Sequence, residues 1–479
     1  MTLKDLKNKK FLVMGLGLNE GGVGVVKFLV KNGAKVLVTD LKTKQELKES
    51  LEKLKGLKVQ YVLGRHRFND FLWADWVIKN PAVRADSPYL KFCQKHRIPI
   101  LSDLGLFFQL VKFPLRLIAI SGTKGKSTTS YLIYQLLKNA GKEVYLAGNL
   151  GISVFDVYNH LNRRSWLVLE LSAQQLEDLA KVYFRPKIAV LTNIFEDHLD
   201  RYPNLRAYRN VKKLIFKDQK PTDFLVLNGG DTNTLKLGQF ARSQVFFFNL
   251  KEKNAQNKNG VFIKNHWLYF KNKSKIKKII PVNLIEDHPY FLNFLAAITS
   301  SLLLKIPKNV ILKTLKNFKG LPYRLELVKK IKGVSYYNDA TATNPLATLF
   351  ALLKIKSPTI LILGGRNKKL NFKPLTDYLI KDNRVKKIIL LTHRFYDASL
   401  ILEKQLKKIS FKIEKATSLE KALKIASQFA QKGDSVLFSP AAASFFMFKN
   451  EFERGRLFSQ LVQGLDRAKK FSNHLIREK

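Results

Sequence analysis

Acidic residues are scarce in this chain. It carries 37 Asp and Glu against 85 Lys and Arg, a formal net charge of +48 at pH 7. Three readings compete: nucleic-acid binding through counterion release, attraction to an anionic membrane surface, or a compositional bias whose lysines are simply solvated. The lysines are spread along the whole length rather than clustered. That spread favours the last reading, so no specific nucleic-acid partner is expected and membrane-surface association would be weak. An anionic substrate is compatible with all three. Cysteine is almost absent: Cys93 is alone, which excludes an intrachain disulfide and fits a reducing cytoplasm. Long apolar runs are missing too. The longest, around Tyr290 to Leu304, is interrupted by Asn293, Thr299, Ser300 and Ser301 and falls short of the ~20 residues of a membrane-spanning helix. The start of the chain has lysines and then a short apolar stretch that runs into glycines with no cleavage site, which reads as a first strand rather than a signal peptide. No internal repeat and no low-complexity tail is visible.

What is present is an ordinary globular composition, 46% hydrophobic over 479 residues. At ~150 residues per domain that length suggests roughly three domains. The first segment alternates strand and helix: strand 10–14, helix 22–31 closed by Gly33, strand 35–39, then apolar runs at 76–78 and 98–101. This βαβ pattern implies a parallel sheet. Phe113-Pro114 marks a boundary. A second α/β unit begins with strand 117–120 and continues through 166–169, 188–191 and 224–227. Asn259-Gly260 precedes a β-rich run, 261–263 and 267–270, that predicts a hairpin, with an exposed lysine-rich loop around it. Gly320-Leu321-Pro322 opens a third α/β unit with strands near 359–363, 387–391 and 435–438. The predicted fold is therefore α/β in three domains, 1–113, 114–318 and 319–479. The first and last are Rossmann-like, and the central one is a P-loop-type parallel sheet with a β extension.

Strand 117–120 runs directly into Ser121-Gly122-Thr123-Lys124-Gly125-Lys126-Ser127-Thr128 and then a helical stretch ending at Asn139-Ala140-Gly141. Glycines let backbone N–H groups close around phosphate oxygens, and the helix N-terminus adds a favourable dipole. Lys126 supplies a point charge for the terminal phosphates and Ser127 a hydroxyl for Mg²⁺. The usual spacing puts glycine at position 120, where this chain has Ile120. A glycine turn before a helix is the bland alternative, but strand, glycines, lysine, hydroxyl and helix arrive in the right order. Near the N-terminus, Gly15-Leu16-Gly17 follows a strand and Asp40 ends the next, part of a dinucleotide fingerprint. Glu20 fills the third glycine slot, so the motif supports binding of some nucleotide, not specifically NAD.

From Gly122 onward a series of segments occurs in order: GTKGKST, GNLG at Gly148, LELSAQQLE at Leu169, TNIFEDHLDRY at Thr192, GLPYRLE at Gly320, NDATATNP at Asn338, LGGRNKK at Leu363 and SPAAAS at Ser439. Together they resemble the Mur ligase family, and within it the D-glutamate-adding branch. The resemblance covers nearly the whole chain. It implies an ATP-dependent carboxylate–amine ligase that works through an acyl-phosphate, with UDP-N-acetylmuramoyl-L-alanine and D-glutamate as partners and ATP and Mg²⁺ as cofactors. Two alternatives differ in class: a sibling ligase with another amino-acid acceptor, and a non-catalytic basic nucleotide- or nucleic-acid-binding protein on the same scaffold.

The resemblance also assigns residues. Gly122, Thr123, Lys124, Gly125, Lys126, Ser127 and Thr128 would hold ATP, with Asn293, Arg324 and Asp339 as further nucleotide contacts. Lys126, Glu170, His198 and Lys212 would be catalytic, and Ser127, Glu170, His198 and Lys212 would serve the metal. Lys212 matches a family lysine that CO₂ converts to a carbamate, a step that requires a neutral amine and therefore a partly desolvated one. Lys213 is adjacent, so the register between the two is open. Leu18, Asn19 and Lys42 would contact the UDP-sugar, with Asn149 nearer the reacting end. Lys42 stands where an arginine is common and cannot give a bidentate fork. Thr343, Lys368 and Ser444 would surround the incoming amino acid. Thr341 stands where many relatives carry a lysine, which removes charge complementary to a dicarboxylate; either Lys368 suffices or the acceptor differs.

Overall fold

A computed structural model describes the chain except residues 18–19, 196–200, 287, 289, 319, 368–369, 395–396, 408, 412, 445–446, 449–450 and 476–479. The first sheet holds β1 (Lys10–Met14), β2 (Lys35–Asp40), β3 (Val59–Leu63), β4 (Trp76–Lys79) and β5 (Ile100–Ser102), all parallel, in the order β3-β2-β1-β4-β5. The order reverses about β1, so the glycine turn after it sits at the crevice where open α/β sheets take ligands. Gly15 and Gly17 both have positive φ, and a Cβ on Gly15 would lie 2.9 Å from Cβ of Asn80. Asp40 accepts from Gly17 N–H at 3.0 Å and Lys42 N–H at 2.9 Å, which ties the second strand's end to this turn.

The second sheet contains β6 (Arg116–Ser121), β7 (Val144–Gly148), β8 (Trp166–Glu170), β9 (Ile188–Leu191), β10 (Phe224–Asn228), β11 (Gln244–Leu250), β12 (Gly260–Lys264), β13 (Trp267–Asn272) and β14 (Lys275–Pro281). Its order is β14-β13-β12-β11-β10-β9-β6-β8-β7, parallel from β7 to β12 and antiparallel beyond. The predicted β extension is thus present. The hairpin expected between 261–263 and 267–270 is there, turning at Asn265-His266, both at positive φ (45° and 58°) as a tight two-residue turn requires. One detail differs: part of the lysine-rich sequence expected as loop is strand β14, whose Lys275 to Lys278 are exposed while Ile279 and Ile280 are buried. Edge strands tolerate and even favour such lysines, because charge blocks further strand pairing.

An apolar cluster runs from the first sheet into the second. Phe28 meets Phe155 with ring centroids 4.3 Å apart, and Gly24 approaches Ser153 so closely that a Cβ would lie 2.2 Å from its hydroxyl. Residues Met1–Phe318 accordingly form one compact unit and Lys319–Lys479 a second. The second unit has its own six-stranded sheet of β15 (Glu326–Ile331), β16 (Val334–Asn338), β17 (Thr359–Leu363), β18 (Val385–Leu391), β19 (Glu414–Ala416) and β20 (Ser435–Phe438), in the order β15-β16-β20-β17-β18-β19. Only β15 is antiparallel. Among the described residues no helix is long and apolar enough to cross a membrane.

Arg454, on helix Glu451–Leu475, is fully buried in this second unit and donates to the carbonyls of Ala340 at 2.7 Å and Ala442 at 3.2 Å. Both carbonyls lie just beyond strand ends, so this one side chain closes two turns. Arg454→Met keeps the volume but strands those acceptors. It should destabilise the C-terminal unit by about 2–4 kcal/mol, from the loss of charge-assisted hydrogen bonds to buried groups, read as a lower melting temperature for that unit with residues 1–318 unaffected.

Candidate active site

Strand β6 lies between β8 and β9, so their three carboxyl ends form one edge. Ile120, at the position where glycine was usual, is an interior strand residue paired with Glu170 and Val190 and fully buried. The loop starts one residue later. Gly122 has φ 144°, and a Cβ there would lie 2.0 Å from Oγ1 of Thr192, so only glycine fits. Gly125 has φ 82° and would meet Asn293 Nδ2 at 2.5 Å. It caps helix Lys126–Asn139.

The loop is held from the side by the segment after β9. Thr123 N–H donates to the Asn193 carbonyl at 2.9 Å, and Lys124 N–H to Asn193 Oδ1 at 2.8 Å. Thr192 Oγ1 donates to the Lys124 carbonyl at 2.7 Å. That segment is in turn fixed from β10: Asn228 Nδ2 donates to the Thr192 carbonyl at 3.0 Å, and Asp231 accepts from Ile194 N–H at 2.7 Å. Asn293, predicted as a nucleotide contact, donates to the Gly125 carbonyl at 3.1 Å and Thr129 Oγ1 at 3.0 Å, so it buttresses the loop directly. Ser121 opens the loop and Thr192-Asn193 open the TNIFEDHLDRY segment in the sequence, but that they hold the loop in place is visible only in the structure.

Lys126 Nζ lies 3.0 Å from the carbonyls of both Gly122 and Thr123, folded over the loop it belongs to. Lys212 reaches the same place from helix Leu205–Lys213. It is 1% exposed, and its Nζ donates to Ser121 Oγ at 3.0 Å and the Gly122 carbonyl at 3.2 Å, above the Tyr208 ring at 5.1 Å. Tyr208 and Lys212 are one helical turn apart and share the buried face. Lys213, about 100° round the helix, points to the Phe240 ring instead, 3.9 Å away. Geometry therefore brings Lys212, not Lys213, to the phosphate loop.

Glu170 ends β8 and is 1% exposed. Its Oε1 accepts from Asn149 Nδ2 at 3.2 Å, while the buried Oε2 has no partner among the described residues. A desolvated carboxylate oxygen left without a donor is costly unless a cation or donor completes it, so it fits a metal ligand. Asn149 is exposed, and its N–H donates to the Glu170 carbonyl at 3.0 Å. Ser127 is the second residue of the helix and partly exposed, and Thr128 is buried. Leu18, Asn19, His198 and Lys368 lie outside the described residues. Among the described residues no group of three or more His, Cys, Asp or Glu side chains gathers as a metal cluster.

In the second unit, Asp339 follows β16 and is buried. Burial pushes its carboxyl up to about 6, partly opposed by Ser439 Oγ at 2.6 Å, by Leu325 N–H at 2.9 Å and by the nearby Arg324 charge. Arg324 is exposed, Thr343 partly buried and Ser444 buried. Thr341 uses its N–H (3.0 Å) and hydroxyl (2.9 Å) on the Tyr323 carbonyl, a structural tie in the place of a cation.

Family-level sequence models match along the chain: the Mur ligase MurD-like N-terminal domain at residues 9–102, the Mur ligase middle domain at 120–301, and the Mur ligase glutamate ligase domain at 323–442. The curated UDP-N-acetylmuramoylalanine--D-glutamate ligase of Caldanaerobacter subterraneus subsp. tengcongensis is 37% identical over 468 residues, covering 97% of this chain and all of that protein. The chain belongs to the Mur ligase family. The same-named enzyme of Borreliella burgdorferi is 38% identical over 471 residues at the same coverage. Among solved structures, the Thermotoga maritima UDP-N-acetylmuramate-alanine ligase aligns with TM-score 0.58 at 19% identity, over 95% of this chain and all of that one, and MurF of the same organism, solved with ADP, with TM-score 0.51 at 18% identity, over 90% and 95%. At these identities the two structures speak to the Mur ligase fold, three α/β sheets in succession, which this chain has.

The raised Asp339 carboxyl has a pH consequence. A group whose folded value lies near 6 against 3.8 when free binds its proton more tightly in the folded state. Its contribution to stability is then complete below about pH 4 and is lost as pH rises through about 6. Asp339→Asn removes it. Between pH 4 and 7 the stability of wild type relative to Asp339→Asn should fall by roughly 2–3 kcal/mol, since the gap between the free and folded values is worth about 1.4 kcal/mol for each pH unit it spans. Denaturant titration of the C-terminal unit measures it.

Proposed function

We propose that this Mur ligase adds D-glutamate to UDP-N-acetylmuramoyl-L-alanine, with ATP giving ADP and phosphate. The supporting observation is the convergence of Lys126, Lys212 and Glu170 on the single edge formed by β6, β8 and β9. The near full-length identity to curated D-glutamate ligases supports the same substrates. In this reading residues 1–113 carry the UDP-sugar, 114–318 hold ATP, and 319–479 present the amino acid and add contacts to ATP.

The chemistry places two anions in contact. The carrier's carboxylate oxygen attacks the γ-phosphorus of ATP, the bond to the β–γ bridging oxygen breaks, and ADP leaves. The amine of D-glutamate then attacks the acyl carbon, an amide forms, and phosphate departs with the bonding pair. Positive charge aimed at the transferring group is the main requirement. Loop N–H groups and Lys126 cradle the phosphates, and Asn293 keeps Gly125 in its left-handed conformation. Ser127, Glu170, His198 and a carbamylated Lys212 would hold Mg²⁺, which supplies charge neutralisation at the phosphoryl oxygens when bound. An unmodified lysine ammonium cannot serve a cation. The carbamate reading is favoured by the near-complete burial of Lys212, which disfavours the charged amine. Arg324 and Asp339 would meet the nucleotide, and Thr343, Lys368 and Ser444 the amino acid.

Purified protein should release phosphate from ATP only when a UDP-muramoyl substrate and an amino acid are both supplied, with D-glutamate preferred in an amino-acid panel. No release with any UDP-muramoyl substrate would remove the reading, and preference for another amino acid would move it to a sibling activity. Lys126→Ala should lower kcat by about 10²–10³, the usual scale for a lost charge stabiliser. Lys212→Ala should be inactive but partly restored by short added carboxylates, whereas Lys213→Ala should retain activity. Equal losses in both without rescue would leave Lys212 an ordinary lysine.

A further inference from the structure

Four charged side chains that the proposed chemistry does not use lie where the first sheet meets the second. Lys79 is the last residue of β4, and its Nζ sits 2.5 Å from Oδ1 of Asp178. The two side chains are 13% and 5% exposed, so this is a desolvated pair rather than a surface one. Arg201 makes a second bridge: one guanidinium nitrogen meets Glu177 at 2.5 Å, and another donates to the carbonyls of Pro81 at 3.3 Å and Ala82 at 3.4 Å. Both bridges therefore grip one short segment, Lys79 to Ala82. Asn80, inside it, donates to the Gly15 carbonyl at 3.2 Å and packs against Gly15, so the segment is the outer wall of the glycine turn after β1.

On the other side the anchors lead back to the phosphate edge. Glu177 and Asp178 close helix Ala173–Asp178, which begins three residues after Glu170. Arg201 is followed by Tyr202, whose ring packs 5.3 Å from that of Tyr208, and Tyr208 lies under Lys212. The acids thus follow the strand that ends at Glu170, and Arg201 precedes the helix that carries Lys212, so both bridges tie the wall of the N-terminal crevice to segments neighbouring the phosphate edge in the chain. The Arg201–Glu177 pair is less withdrawn, with side chains 13% and 29% exposed, so losing a partner costs most at Lys79–Asp178, where the charge left behind is the more desolvated. Asp103 is buried at the start of helix Asp103–Leu110; burial raises the carboxyls of both Asp103 and Asp178, the latter to about 6, with the Lys79 charge opposing the rise at each.

We infer that Lys79–Asp178 and Arg201–Glu177 form an interdomain clamp whose role is positional: it sets the distance between the crevice that takes the UDP-sugar and the edge where phosphoryl transfer occurs. The inference rests on the function proposed above for the meaning of that distance. An error of about 1 Å between reacting groups is enough to lower a rate by about 10², and the segment that the bridges hold, Lys79 to Ala82, lies on the carrier's side of that distance.

The test compares Asp178→Asn, Arg201→Ala and Arg201→Lys with wild type, using steady-state kinetics and backbone amide exchange. The clamp predicts that Asp178→Asn and Arg201→Ala raise KM for UDP-N-acetylmuramoyl-L-alanine about tenfold while KM for ATP stays within twofold. Amide exchange should quicken at 77–83 but not at 117–133, and Arg201→Lys should recover part of the loss. Unchanged carrier KM and unchanged exchange would overturn the clamp. Equal shifts in both KM values with a lowered melting temperature would also overturn it, as plain support of the fold. If wild type turns over no UDP-muramoyl substrate, the proposed function fails on its own, and the exchange measurement still decides whether the bridges hold residues 77–83.

Discussion

The middle of this protein depends on one close approach. Gly122 lies so near Thr192 that no side chain can stand between them, and this lets the strand after β6 turn within a single residue. Because the turn is that tight, the Gly122 carbonyl becomes an acceptor for two amines at once, Lys126 from the following helix and Lys212 from a helix ninety residues away. Ser121 passes the arrangement on, donating to the Leu171 carbonyl at 2.6 Å just beyond Glu170. Two cations and a desolvated carboxylate are thus gathered on a few residues of backbone. Like charges converging on one carbonyl are held there by the fold.

Much of this is legible in the sequence, and the parts that are not have physical reasons. The phosphate loop can be read because its chemistry is local: strand, glycines, lysine and helix are consecutive. The parallel sheets can be read because buried strands are runs of branched apolar residues. Strands β3 and β15 leave no clear pattern because they are only half buried and do not alternate cleanly. Strand β14 is hidden by its lysines, which belong to an edge. The choice between Lys212 and Lys213 needs helical phase relative to a neighbour, which a single sequence does not supply. Asp339 was placed near nucleotide by resemblance, but its partner Ser439 is a hundred residues away. The pairing of residue 79 with 178 leaves no trace in either neighbourhood.

The C-terminal unit solves a similar problem with different groups. The hydroxyl and N–H of Thr341 both close on the Tyr323 carbonyl, and Tyr323 itself has a left-handed φ of 61°. That backbone conformation is unfavourable for a tyrosine and persists where surroundings over-determine it. Here the Tyr323 N–H also donates to Glu326, and the ring fills the space a side chain at Gly455 would need. Order in this region comes from a buried acid, a buried arginine and a threonine tie. Charge for an incoming dicarboxylate must then come from elsewhere, with Lys368 the residue that the resemblance offers.

The net charge of +48 divides into two populations with different physics. Lys275, Lys277 and Lys278 are exposed along an edge strand, where solvent and salt screen them within about 10 Å. Lys212 and Arg454 are buried and Lys79 nearly so, each against carbonyls, a hydroxyl or a carboxylate. Removing a surface lysine changes little, since an exposed pair contributes about 0–1 kcal/mol. Removing a buried cation leaves its partners desolvated and unmatched. The excess that dominates the composition is therefore largely a property of the solvent-facing shell, whereas the lysines placed at the phosphate loop, Lys126 partly and Lys212 almost wholly, are withdrawn from solvent.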